Sequence, residues 1–414
     1  MHSLSRNNVQ SRGFLSAVLV VALLSSPALA WQSTVTAPAI QAIKATPAAK
    51  AAPAVTGAER KAAERVKLET IRDVTTTLSS NEFEGRGTAQ PGADKAARYL
   101  ADRFAKLGLK PAGENGTYLQ PIKFRSAHVL PESSFMVGDA ALKQGEDYIV
   151  LPPYTSEQVD QAGGVVFVGY GVVSPELKRD DLAGLELKDK VAIILNGQPA
   201  GVDVPAWRRA TNPQTRAMNI FGRGAVAIIV ANVGTPAQPF TTLANYLSRR
   251  RVTLASAPTP PFKIPPVLLT SDVAMEKIFA GSGMTYAQTQ EKATSGEMVS
   301  RDLGKTATLA LRLKFAEATS DNVAGVLEGS DAKLKQEAVV YSAHYDAYGI
   351  EGGRIYPGAA DNALGTATIT AIAEAFTKAF PKPSSRPRRS IIFLAVTGEE
   401  YGLLGAEHWV GHPT

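Results

Sequence analysis

The sequence contains no cysteine, and no aspartate follows Asp361. Without cysteine the chain can form neither a disulfide framework nor a lipid anchor on an N-terminal cysteine, so core packing, and metal if it binds, must stabilise it. The apolar run at residues 14–24 is too short to span a bilayer comfortably. Basic blocks suited to nucleic acid are also missing: the densest run, residues 249–251, belongs to a chain of net charge +6 and is typical of a solvated loop.

The first 30 residues have the pattern of a cleaved secretory leader. Two arginines precede the apolar run, and residues 28–30 (ALA) fit a small-x-small cleavage site, which makes Trp31 the mature N-terminus. An uncleaved membrane anchor is the alternative interpretation. The sequence therefore predicts an exported bacterial protein, periplasmic or secreted, that has no stable membrane insertion once the leader is removed.

The length of 414 residues predicts two domains, or one domain with a large insertion. Residues 151–313 differ from their surroundings because they contain short β-rich runs bounded by glycine, asparagine or lysine, with no histidine and no acidic cluster at ligand spacing. We therefore predict a compact β-rich insertion without catalytic residues. The predicted boundaries are a leader at 1–30, an Ala/Pro-rich flexible linker at 31–57, the N-terminal part of the main domain at 58–150, the insertion at 151–313, and the core of the main domain at 314–414.

Candidate chemistry is concentrated after residue 337. Residues 338–342 form an apolar run typical of a strand buried on both faces of a parallel sheet, and residues 390–396 form a second one. Between them, residues 362–380 carry the apolar periodicity of an amphipathic helix. Strand, helix and strand in this order predict a parallel βαβ unit and an α/β fold, with the ligand crevice at the carboxyl ends of the strands.

Metal-ligand side chains fall at that crevice. His344 and Asp346 end the first strand and project to one side because they are two residues apart. Asp361 precedes the helix, and Glu399 with Glu400 follows the second strand. Taken singly, these groups could be a hydrogen-bonded pair, a helix N-cap and a solvated acidic turn. Their coincidence in one βαβ unit favours a metal site.

The chain resembles the co-catalytic zinc aminopeptidase and glutamate carboxypeptidase family (peptidase clan MH), which includes the transferrin receptor as an inactive relative. The resemblance implies a zinc-exopeptidase-type sandwich with a mostly parallel central sheet. It also implies that residues 151–313 are an inserted protease-associated domain. The segments that carry the resemblance are residues 342–346 (SAHYD), 358–365 (GAADNALG) and 397–406 (TGEEYGLLGA), together with 84–87 (EGRG) and 108–111 (GLKP) in the N-terminal segment.

Two Zn²⁺ ions are implied by this resemblance. His344 would ligate one ion, Glu400 the other, and Asp361 both. Glu399 would be the general base, and Asp346 would orient His344. The implied reaction removes N-terminal residues from peptide substrates with a hydroxide shared between the ions.

The family also contributes an aspartate and a histidine ligand further downstream. His408 and His412 follow Glu400 too closely to match that distant histidine, and they are interpreted as surface residues at a helix end. We therefore expect a C-terminally truncated chain that has half of the core sheet, binds zinc weakly and does not turn over. One alternative is an inactive homologue or binding module whose insertion contacts protein partners. A glutaminyl cyclase-like acyltransferase is another.

Overall fold

A computed structural model of the chain describes residues 57–152, 154–235, 237–258 and 264–414. The predicted leader and the linker up to residue 56 lie outside the described residues. No helix within these ranges has the length and apolar character needed to cross a membrane. The described helices are α1 (Gly57–Ala63), α2 (Leu68–Leu78), α3 (Pro91–Lys106), α4 (Val204–Ala210), α5 (Pro213–Phe221), α6 (Phe240–Leu247), α7 (Asp272–Phe279), α8 (Tyr286–Ser295), α9 (Leu364–Ala379) and α10 (Leu404–Gly411).

The strands of the same ranges are β1 (Lys110–Pro111), β2 (Leu119–Val129), β3 (Ser134–Val137), β4 (Ala140–Leu142), β5 (Tyr148–Leu151), β6 (Gln158–Phe167), β7 (Val173–Ser174), β8 (Arg179–Asp180), β9 (Lys190–Leu195), β10 (Ala227–Ala231), β11 (Arg251–Leu254), β12 (Val267–Thr270), β13 (Arg301–Leu327), β14 (Ala338–His344), β15 (Gly349–Glu351), β16 (Arg354–Tyr356) and β17 (Ser390–Val396).

These elements divide into two compact units. Within the described ranges, the first unit takes residues 127–250 and 258–315, and the second takes 57–126, 251–257 and 316–414. The predicted insertion therefore lies in the first unit, apart from residues 251–257. Its identity as a protease-associated domain stays a prediction.

A parallel core of strands organises the first unit. Strands β6, β9, β10 and β12 run parallel in that order, and β13 and β5 flank them antiparallel. The runs in β9 (KVAIIL) and β10 (AIIVA) are almost continuously apolar because both faces of these strands are covered. Phe167 and Ile193 belong to the hydrophobic cluster on one face, and their neighbours Val166 and Ile194 to the cluster on the other. Five helices, α4 to α8, accompany the strands that the sequence predicted.

The βαβ unit lies in the second unit of the chain. β14 pairs parallel with β17, β17 pairs antiparallel with β13, and α9 connects the parallel pair. The α/β class is confirmed, and the described sheet is mixed. Phe104 of α3 and Phe393 of β17 are fully buried in one hydrophobic cluster with α2 and α9. Burying each ring contributes roughly 1.5–3 kcal/mol.

Strand β14 differs from its prediction. The sequence predicted burial on both faces, but Val339 and Val340 are 48% and 46% exposed. Among the described residues β17 is its sheet partner, so β14 lies at the edge of the described sheet. The prediction of burial was wrong because an apolar run determines the strand, whereas its burial depends on which elements pack against it.

Candidate metal centre

Three ligand-type side chains converge at the carboxyl ends of β14 and β17. His344 is the last residue of β14, Asp361 lies in the turn Ala359–Ala363 before α9, and Glu400 lies in the turn Glu399–Tyr401 after β17. One ligand atom from each lies within 4.8 Å of the other two. Nε2 of His344 is 3.2 Å from Oδ1 of Asp361. Because β14 and β17 pair in parallel, their carboxyl ends lie at one edge of the sheet, and residues that are far apart in the sequence meet there.

The donor chemistry of this cluster fits a divalent metal ion. One imidazole and two carboxylates are ligands that zinc accepts. Burial, with the charges of Asp346, Asp361 and Glu399, raises the pKa of Glu400 to about 7 against the opposing effect of a hydrogen bond from Tyr348. Burial also raises the pKa of Glu399. A cation at this place would relieve the repulsion among these carboxylates.

The imidazole of His344 is held from its Nδ1 side. Nδ1 lies 3.6 Å from Oδ1 of Asp346 and 3.2 Å from the backbone oxygen of the same residue. Burial lowers the pKa of His344, but the hydrogen bonds and charge of Asp346, with the charge of Glu399, outweigh it and raise the pKa to about 9. Because Asp346 lies on the Nδ1 side, Nε2 faces Asp361 and Glu399. This is the arrangement of a carboxylate–histidine–metal triad.

Asp346 is fully buried, and its two oxygens have different partners. Oδ2 accepts a hydrogen bond from the Thr88 hydroxyl at 2.8 Å. Oδ1 accepts one from the backbone N–H of Glu399 at 3.3 Å. The sequence analysis missed Thr88; the signal available was its position directly after the segment 84–87 that carries the family resemblance.

Two glycines shape the turns that carry the acidic side chains. Gly358 precedes the Asp361 turn with φ +54°, and a Cβ there would lie 2.5 Å from the Cβ of Ala347. Gly398 has φ +71° and begins the turn that carries Glu399 and Glu400. Left-handed backbone of this kind favours glycine. Larger residues at either position would displace the turns and their carboxylates.

Five of the residues predicted for the site are thus close together. Besides the three ligand-type groups and Asp346, Oε2 of Glu399 lies 3.6 Å from Nε2 of His344. His408 lies in α10, with its ring stacked on that of His412 at 4.5 Å between centroids. Neither histidine joins the ligand group found in the described part of the chain.

A protein-family model described as Peptidase family M28 matches residues 322–414. Aminopeptidase YwaD of Bacillus subtilis is 34% identical over 122 residues, which are 29% of this chain and 23% of that protein. Aminopeptidase NAALADL1 of Mus musculus is 36% identical over 88 residues, which are 21% of this chain and 11% of that protein. The chain thus spans less than a quarter of these curated relatives.

The solved structure of an aminopeptidase from Aneurinibacillus sp. strain AM-1 is similar with a TM-score of 0.55 and 18% identity. The similarity covers 86% of this chain and 68% of that one. At this identity the comparison shows the fold alone. The described residues therefore share the α/β fold of that solved structure.

Proposed function

We propose that the protein is a zinc-dependent aminopeptidase that hydrolyses the N-terminal peptide bond of peptides, because residues 322–414 match the model of Peptidase family M28. The observation that carries the proposal is the convergence of His344, Asp361 and Glu400 within 4.8 Å. The similar aminopeptidases of Bacillus subtilis and mouse support the reaction class. Since the chain spans only part of those proteins, the activity of the whole protein is itself part of the proposal.

His344, Asp361 and Glu400 are the residues that we assign as zinc ligands. By the family resemblance Asp361 would be the ligand common to both ions, and its Oδ1 lies 3.2 Å from Nε2 of His344. Bound zinc would supply Lewis acidity toward the scissile carbonyl. In the neutral imidazole that binds metal, Asp346 would hold the remaining proton on Nδ1, so that the lone pair of Nε2 faces the ligand cluster.

Glu399 is the residue that we assign as general base. Its Oε2 lies 3.6 Å from Nε2 of His344, and burial raises its pKa toward the range where a carboxylate both takes up and releases a proton. Glu399 removes a proton from the attacking water and delivers it to the leaving amine. The backbone N–H of Glu399 donates a hydrogen bond to Oδ1 of Asp346, and this bond fixes the position of the backbone from which the Glu399 carboxylate extends.

The ligand group found among the described residues has three members. These three ligands of the described residues, with Asp361 shared, would give each of two ions at most two protein contacts. Catalytic zinc usually has about three. We therefore propose that these three groups by themselves bind zinc weakly.

Zinc titration by calorimetry tests the ligand assignment. Asp361→Ala should lose zinc binding, whereas Asp102→Ala, which removes an exposed carboxylate from α3, should not. Zinc binding unchanged by Asp361→Ala would overturn the assignment. Release of p-nitroaniline from leucine p-nitroanilide, with and without zinc, tests the reaction. Turnover as fast as that of the Bacillus subtilis aminopeptidase would contradict the weak zinc binding and make His408 and His412 candidate ligands.

Export of the protein is a further part of the proposal. It rests on the two arginines, the apolar run at 14–24 and the small residues at 28–30. N-terminal sequencing of protein recovered from a bacterial host should begin at Trp31. Material that stays in the membrane fraction with residues 14–24 attached would support the uncleaved anchor.

A further inference from the structure

Arg86 is a fully buried cation in the second unit, and its hydrogen bonds all go to backbone carbonyl oxygens. Nε donates to the oxygen of Tyr345 at 2.5 Å, and Nη2 donates to that of Gly358 at 2.9 Å. Nη1 donates to the oxygen of Pro357 at 2.8 Å and to that of Leu78. One guanidinium thus joins three separate segments of the chain.

Two of those segments carry proposed zinc ligands. Tyr345 lies between His344 and Asp346, so its carbonyl belongs to the backbone that orients the imidazole. Gly358 starts the turn that leads to Asp361. The distance between the two carbonyls is therefore tied to the distance between His344 and Asp361.

The backbone around Arg86 directs its side chain inward. Glu84, Gly85 and Arg86 have φ values of +51°, +66° and +51°, a left-handed run that two non-glycine residues seldom adopt. A Cβ on Gly85 would lie 2.4 Å from the oxygen of Tyr356, so the turn packs closely on its neighbours. The carbonyl of Arg86 also accepts the N–H of Ala347 at 3.3 Å. This segment is thus attached to the His344 loop by backbone as well as by side chain.

The carboxylates of Asp346 and Glu400 favour the positive charge of Arg86 at this place. Burial lowers the pKa of Arg86 and the charges of Asp346 and Glu400 partly oppose it; the resulting pKa of about 10 keeps the guanidinium protonated at neutral pH. Lysine could not replace it, since one ammonium at the end of a flexible stem cannot reach carbonyls that lie on different sides of a planar guanidinium.

We propose that Arg86 is a positioning residue of the metal centre: by joining the carbonyls of Tyr345 and Gly358, it sets the spacing of His344 and Asp361. It touches neither metal nor substrate. The inference rests on the proposed zinc site and is independent of whether the chain hydrolyses peptides.

Cobalt binding tests the inference without an activity assay. Co²⁺ would be titrated into the wild-type chain, Arg86→Met and Arg86→Lys, following visible absorption for affinity and coordination geometry, with thermal melting for stability. Arg86→Met should bind Co²⁺ about ten- to a hundredfold more weakly and change the shape of the absorption band, since loss of outer partners of metal ligands typically has that effect. Arg86→Lys should show the same changes to a smaller degree.

A buried arginine of the first unit provides the matched control. Arg216 is 4% exposed and donates to the carbonyl oxygens of Tyr170 and Leu195, both at 3.3 Å. Arg216→Met should lower the melting temperature but leave cobalt affinity and spectrum unchanged. If Arg86→Met does not fold, Arg86→Lys decides. A folded Arg86 variant with wild-type affinity and spectrum would overturn the inference alone, whereas a wild-type chain that binds no cobalt would overturn the zinc site with it.

Discussion

Thr88 donates a hydrogen bond of 2.8 Å to Asp346, a residue 258 positions later in the chain. Both residues are fully buried. The other carboxylate oxygen accepts the N–H of Glu399 and faces Nδ1 of His344. Asp346 is thus the point at which the N-terminal segment, the proposed ligand and the proposed base are fixed relative to one another.

Thr88→Val should weaken the metal centre while keeping the shape of the side chain. The substitution leaves Oδ2 of Asp346 buried without its hydroxyl donor, and losing a hydrogen bond to a charged group costs about 1.5–3 kcal/mol. Urea unfolding should show that loss, and zinc competition should show an affinity lower by about ten- to a hundredfold. Thr88→Ser keeps the hydroxyl and is the control. Equal behaviour of the two variants would mean that the hydrogen bond contributes nothing.

The βαβ unit could be predicted from sequence because its signals are local. The strand predicted at 390–396 is β17 without change of bounds, and the helix predicted at 362–380 is α9, Leu364–Ala379. The difference at the start of the helix has a physical reason. Asp361 and Asn362 have non-helical φ/ψ values and form the preceding turn, which points the carboxylate toward His344.

The parts that sequence could not predict depend on contacts between distant segments. Arg86 and Thr88 have no ligand chemistry and no periodicity, so only the folded chain shows that they reach the loop after β14. The exposure of Val339 has the same origin, since it depends on what packs against β14 rather than on its own sequence. Local pattern identifies strands, helices and ligand types, and tertiary packing decides what surrounds them.

Asp181 provides a test of whether the two units unfold separately. Its buried carboxylate accepts hydrogen bonds from the N–H groups of Tyr170 and Val172, and Arg179 donates to it at 2.7 Å. Asp181→Ala leaves these donors without their acceptor and should destabilise the first unit by about 3–5 kcal/mol. Calorimetry should show one transition moving to lower temperature, with zinc binding unchanged. The control is Asp139→Ala, which removes an exposed carboxylate from the same unit. A single transition that moves as a whole would show that the units unfold together.

Stability of the metal-free protein should fall as pH rises. The pKa of Glu400 is raised from 4.5 to about 7 and that of His344 from 6.5 to about 9. A group whose pKa is raised on folding contributes stability that is present below the unfolded value and lost as pH passes the folded value. The stability contributed by Glu400 is therefore lost between pH 4.5 and about 7, and that contributed by His344 is lost between pH 6.5 and about 9. Urea unfolding in EDTA at pH 6, 7.5 and 9 would measure the decline.

Zinc should reverse that trend, since metal ligands bind in their deprotonated forms and metal binding releases protons. The stabilisation by zinc should therefore grow over the same pH range. Glu400→Gln should remove most of the pH dependence of metal-free stability in the lower pH range and leave the dependence that is due to His344. Stability in EDTA that rises from pH 6 to 9 would contradict the charge arrangement described for the cluster.

Glu399→Gln and Asp361→Ala should separate proton transfer from metal binding. Both carboxylates lie beside Nε2 of His344, at 3.6 Å and 3.2 Å, so proximity alone does not distinguish them. As the proposed base, Glu399 can lose its charge without removing a ligand. Glu399→Gln should therefore keep the zinc content of the wild-type chain, while residual hydrolysis of a fluorogenic aminoacyl substrate falls by about two to four orders of magnitude. Asp361→Ala should lose zinc, and its hydrolysis should fall in proportion. Should Glu399→Gln lose zinc and keep its activity per bound ion, Glu399 would be a ligand and the two roles would have to be exchanged.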